Sequence, residues 1–149
     1  MSTRLLFTCL LASAALSIGC DEKLSTIAGP TPNLEPTFAS IQRDIFEATD
    51  SSGRTPCVTC HTSTGRNPSG GMNLNHDAAY DQIVGMSARG KPSAVRVVPG
   101  DVTNSYIVQK LEGASDIVGR RMPINGPPYL TDGQILIIRR WIALGAPRN

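Results

Sequence analysis

"CVTCH", Cys57 to His61, is the stretch on which the reading of the whole chain turns. Two thiols three residues apart lie about one helical turn apart and face the same way, and an imidazole follows the second at once. A redox dithiol of this spacing belongs beside a βαβ pattern, and no strand pattern surrounds Cys57. Structural zinc takes four ligands, commonly as two spaced pairs. Here the other candidate is His76, which stops the set at three or four with awkward spacing.

C-x-x-C-H is also the attachment signature of a c-type haem. Each thiol adds across one haem vinyl group, so the sulfurs must share a face, and the next residue then turns its imidazole to the iron. The cysteine count agrees with this use. Of four cysteines, Cys9 falls in an apolar leader, Cys20 is a candidate anchor, and Cys57 and Cys60 remain for haem. One haem also suits a chain of 149 residues with 5% aromatic content, because a small domain often needs a cofactor to complete its core.

The first twenty residues, "MSTRLLFTCLLASAALSIGC", carry one early charge, Arg4, and an uncharged apolar run from Leu5 to Ile18. That run is short for a transmembrane helix of about 20 residues and reads as an export signal. Ala12-Ser13-Ala14 offers an A-x-A cleavage site. "SIGC" resembles a bacterial lipobox, which would cleave before Cys20 and lipidate it. The expected organisation is a signal peptide over 1–19, a lipid-anchored flexible tether over 20–36 and one folded domain over 37–149. As a coil the tether spans roughly 22 Å, and about 50 Å if its prolines keep it extended. This predicts a protein on the periplasmic side of a bacterial membrane, anchored at Cys20.

Within the folded part, Phe38, Ile41, Ile45 and Phe46 recur at steps of three and four, predicting a first helix from Thr37. "TDSSGRTP" breaks it before Cys57. Asp77 to Met86 reads as a short helix, with Met86 a core residue. "VVPGD" is a turn, and Asp101 or Thr103 caps a third helix to about Glu112. Thr131 or Asp132 opens a last helix that buries Ile135, Ile138, Trp141, Ile142 and Leu144 and ends at Gly145 and Pro147. Four helices without an alternating strand pattern predict an all-α domain.

The iron's opposite ligand must come from elsewhere in the chain. Met122, in the stiffened loop "RRMPINGPP", can bring a thioether to the far haem face; His76, Met72 and an open site are the alternatives. Arg120, Arg121, Arg139 and Arg140 read as a solvated face, from which one guanidinium can meet a haem propionate. The net charge of +2 falls to +1 without Arg4, and two propionates bring it near −1. No basic tract points to nucleic acid.

From about Phe38 to Pro147 the sequence resembles the small bacterial monohaem c-type cytochrome domains related to planctomycete-type cytochrome c. The parallels are "IQRDIF", "CVTCH", "GGMNL", "VVPGD" with "NSYIVQKLEG", "MPINGPPYL" and "IRRWIALGAP". The hydrophilic "EATDSSGRTP" departs from the pattern, being longer than relatives generally show. The resemblance implies an all-α, cytochrome c-like domain of about four helices wrapped around one covalent haem. It implies thioethers at Cys57 and Cys60, axial His61 and Met122, and first and last helices packed together. The function expected is one-electron transfer between transient redox protein partners outside the cytoplasm, not catalysis. The alternatives are a haem enzyme or ligand sensor with a labile distal site and His76 as acid–base group, or a haem-bearing accessory subunit of a larger redox complex.

Overall fold

The computed structural model describes residues 34–149. The expected leader, the anchor at Cys20 and the tether as far as Asn33 lie outside the described residues.

Thr37 opens the first helix, its hydroxyl accepting from Ser40 N, and α1 (Phe38–Ile41) follows. From Gln42 the helix widens into a π turn, Gln42–Phe46, closed by Glu47 N donating to Gln42 O at 3.0 Å. Ile41, Ile45 and Phe46 all stay buried through it.

The hydrophilic segment after this turn does end the helix, and it closes around Arg54, whose side chain is fully buried. Arg54 Nε pairs with Asp50 at 3.2 Å. Its Nη2 donates to Ile45 O at 3.2 Å and Ala48 O at 3.3 Å, and its Nη1 to Thr55 O at 3.4 Å. Burial alone would raise the Asp50 carboxyl pKa. Hydrogen bonds from Ser52, from Gln134 of the last helix and from Arg54 outweigh it and hold the group below its ordinary value.

The second helix is shorter than expected. In place of Asp77 to Met86, α2 spans Ala79–Ile83; Val84 is already extended, and Gly85 takes φ +71°. Backbone groups that would have continued the helix bond to a later segment instead. Gly85 N donates to Val97 O at 2.9 Å, Val97 N to Ile83 O at 3.0 Å, and Arg96 N to Met86 O at 2.7 Å. Between these contacts β1 (Ser87–Ala88) pairs antiparallel with β2 (Lys91–Val95), with Ala88 opposite Lys91 and an irregularity between Ser87 and Ala88. Met86, expected in the core, is exposed.

This overturns the all-α expectation of about four helices. The described residues form four short α-helices, a π turn and two 3-10 turns together with a two-stranded antiparallel sheet, and much of the remaining chain is irregular. The strands carry no period-two signal, since Lys91-Pro92-Ser93-Ala94-Val95 has no fully buried face. Backbone demand from Ile83 to Met86 sets the pairing, not hydrophobic alternation.

The third helix, α3 (Tyr106–Glu112), begins after Ser105, not after Asp101 or Thr103. The Asp101 carboxylate accepts from Asn104 N instead, which stabilises the "VVPGD" turn before it. The last helix, α4 (Asp132–Ala143), opens with a capping box. Thr131 Oγ1 accepts from Gln134 N at 3.2 Å, and Gln134 Oε1 accepts from Thr131 N at 3.0 Å. Ile135, Ile138, Trp141 and Ile142 are buried as expected, and Ile137 joins them. Leu144 is 67% exposed, because the chain leaves the helix at Gly145, and Ala146 is buried in its place.

First and last helices meet through Phe38. The Phe38 and Trp141 rings lie 5.6 Å apart, and Tyr80 packs edge-on against Phe38 at 5.1 Å. Asn149 closes this end, its O accepting from Ala39 N at 2.7 Å and its Oδ1 from Phe38 N at 2.9 Å. Phe46 is thereby left to another surface, the wall of a cavity.

Candidate functional site

The C-x-x-C-H stretch folds as a single tight turn. Cys57–Thr59 is one 3-10 turn in which Cys60 N donates to Cys57 O at 3.2 Å and His61 N to the same oxygen at 2.9 Å. Ser69 N to Cys60 O (3.0 Å) and Leu74 N to His61 O (2.8 Å) then bring the "GGMNL" segment alongside. Cys57 and Cys60 are free thiols, both half-buried. Cys57 Sγ donates to Ile45 O at 3.7 Å, the carbonyl that also receives Arg54. Burial pushes the Cys57 thiol up, with the Arg54 charge acting in opposition, so it stays protonated.

His61 Nδ1 lies 2.8 Å from Ser69 O. A carbonyl only accepts, so Nδ1 carries the proton and the lone pair sits on Nε2. Burial lowers the ring's pKa and the Arg96 charge adds to this, while hydrogen bonds to the Ser69 and Met72 backbone work the other way. The imidazole is therefore neutral at neutral pH and oriented by a backbone acceptor, the arrangement a metal-bound histidine uses.

A cavity of ≈ 260 Å³, open to solvent on one side, lies against this turn. Cys57, His61, Met72 and Met122 all contribute to its wall, and Phe46, Leu74, Leu111 and Ile138 supply much of its apolar surface. Cys60, one turn after Cys57, is not among the residues that wall it. Met122 arrives from the far side of the sequence on an anchored loop. Its N donates to Lys110 O at 2.9 Å, and Lys110 Nζ straps the same loop through Val118 O and Arg120 O. Asn125 Nδ2 donates to Thr55 Oγ1 at 2.7 Å and ties the Met122 loop to the segment entering Cys57.

The cavity wall also holds three cations, Arg89, Arg96 and Lys110, and no carboxylate. Burial lowers the pKa of both Arg96 and Lys110, yet each stays charged at neutral pH. The arginines singled out in the sequence are elsewhere. Arg121 lies over the Tyr129 ring at 4.2 Å, Arg139 pairs with Glu112 at 2.8 Å, and Arg120 and Arg140 are exposed. Arg89 in the β1–β2 turn and Arg96 just after β2 carry no signal in the sequence, because distant backbone partners set the hairpin that places them. His76 is exposed beside Glu47, at 3.9 Å, and does not reach the cavity. Among the described residues no three His, Cys, Asp or Glu side chains gather into a metal-holding group.

The wall thus sets an apolar lining and three cations beside a neutral imidazole, a thiol and thioethers. No protein-family model, no curated protein and no solved structure matches the chain.

Proposed function

We propose that the chain carries one c-type haem, held by thioethers from Cys57 and Cys60 with His61 and Met122 as axial ligands, and passes single electrons between redox proteins outside the cytoplasm. The observation that carries this is the meeting of Cys57, His61 and Met122 on one apolar cavity from distant parts of the sequence. When bound, the haem supplies a one-electron ferric/ferrous couple, and a soft thioether ligand favours the ferrous side.

The chain's own residues hold and enclose the group. Ser69 O fixes the His61 tautomer, Lys110 and Thr55 hold the Met122 loop in place, and Phe46, Leu111 and Ile138 exclude water. His76, the acid–base group that an enzyme or sensor would use, sits outside the cavity, and this favours the carrier. Val118 and Ile124 flank Met122 as exposed apolar side chains, suited to brief contacts below about 1,200 Å² in total. The resemblance to small bacterial monohaem c-type cytochromes supports the same reading, and the leader with Cys20 supports export and a lipid anchor.

Acid–acetone treatment of the matured protein should leave haem on the polypeptide, and Cys57→Ala with Cys60→Ala should abolish this. Reduced-minus-oxidised spectra should show low-spin iron that does not take carbon monoxide. Met122→Ala should admit carbon monoxide and lower the potential, whereas His76→Ala should leave the spectrum unchanged. Freely extractable haem, or carbon monoxide binding by the wild type, would sink the proposal.

A further inference from the structure

The uncompensated positive charge on the cavity wall has a structural origin. Arg96 is 8% exposed, and its guanidinium meets only carbonyls: Nη1 donates to Gln82 O at 2.5 Å, and Nη2 to Gly70 O at 3.2 Å and Gly71 O at 3.0 Å. Among the described residues no carboxylate pairs with it. A charge taken out of water without an opposite partner is expensive, and three carbonyl dipoles compensate it only in part. Gly70 and Gly71, at φ +63° and +61°, adopt a left-handed backbone that presents both carbonyls to Arg96.

Arg89, in the turn between β1 and β2, stands over the second of these glycines, Gly71. A Cβ at Gly71 would lie 3.0 Å from Arg89 Cδ. Arg89 makes no hydrogen bond or ion pair among the described residues. The third cation, Lys110, belongs to α3 and donates to Val118 O and Arg120 O of the Met122 loop, not to the Gly70–Gly71 segment. Two guanidinium groups therefore face one end of an apolar cavity with no acid to meet them.

We infer that Arg89 and Arg96 form the carboxylate-binding end of the cavity and pair with the propionates of the bound haem. The inference rests on the haem reading above. Guanidinium and carboxylate match as bidentate hydrogen-bonding partners, so the pair fixes which edge of the macrocycle enters that end as well as offsetting its charge. Arg96 is a positioning residue for the redox centre, because removing its charge leaves more negative charge near the iron and favours the ferric state.

The test uses the full chain matured with haem. Arg89→Gln, Arg96→Gln and Arg96→Lys are compared with the wild type by intact mass, by reduction potential and by the haem carboxylate bending band in resonance Raman spectra. Both glutamine variants should keep covalent haem, shift the potential to more negative values and move the carboxylate band, with Arg96→Lys restoring most of the potential. If Arg96→Gln does not mature, Arg89→Gln decides, since Arg89 is exposed and bonded to nothing that folding needs. A wild type that carries haem while every obtainable glutamine variant leaves potential and band unmoved overturns the carboxylate assignment alone. A wild type that matures without haem overturns the reading of the site itself, and this assignment with it.

Discussion

Arg54→Met isolates the energetics of the segment that delivers Cys57 to the cavity. Methionine fills much of the arginine's volume, so the cost is electrostatic more than steric. The substitution strands the Asp50 carboxylate, whose side chain is 4% exposed, and removes donors from Ile45 O, Ala48 O and Thr55 O. Breaking a buried pair by removing one partner costs about 3–5 kcal/mol. Against a total stability of about 5–15 kcal/mol, this is a large fraction, and Tm should fall by roughly 10–25 °C.

Asp50→Asn combined with Arg54→Met should cost less than the sum of the two singles, because the double variant leaves neither charge buried alone. The pH dependence has a definite sign. The folded Asp50 pKa is depressed, so its stabilisation is fully present above the unfolded value of about 3.9 and is lost as pH falls through the folded value. Circular dichroism melts between neutral and acid pH supply all of these quantities. Additive single variants, or an Arg54→Met protein within about 1 kcal/mol of wild type, would refute the network as the organiser of this segment.

Thr131→Ala removes one arm of the capping box at α4 and should cost about 1 kcal/mol, or roughly 3–6 °C in Tm, by the same melts. Part of the loss should reach the Arg54 segment, because the Gln134 side chain accepts from Thr131 N in the cap and donates to Asp50. If Cys20 carries lipid, the mature protein should partition into detergent and Cys20→Ala should become soluble or stay unprocessed. An unmodified mature N-terminus at Ala15, read by mass spectrometry, would favour cleavage after Ala14 instead.

The legible parts of the sequence were those whose signals are local. Thr37 before the Phe38–Ile41–Ile45 spacing, Thr131 before the last helix and the "VVPGD" turn each state their conformation within a few residues, and each forms. What could not be read depends on distant partners. Val84 to Met86 keeps an apolar helical pattern, yet Val97 and Arg96 claim its backbone. "TDSSGRTP" looks like solvated loop, because a polar segment organised around a buried arginine has the composition of one that is not. For the candidate site, Cys57, His61 and Met122 were recognisable by residue type and spacing. Arg89 and Arg96 were not, since only the unforeseen hairpin brings them to the cavity.

The division between near and far contacts also bears on the order in which the protein is made. The turn carrying Cys57, Cys60 and His61 closes on backbone bonds among Pro56, Cys57, Thr59, Cys60 and His61, all neighbours in sequence. The opposite wall arrives with Met122, held by Lys110 and by the Asn125–Thr55 bridge across 70 residues. Contacts of such sequence separation form late, because the intervening loop must be closed first. Under the haem reading, a maturation enzyme would therefore meet an attachment turn that already has its shape on a chain still open above it. Formation of the thioethers would then supply the surface on which the Met122 loop comes to rest, making tertiary closure a step downstream of the covalent one.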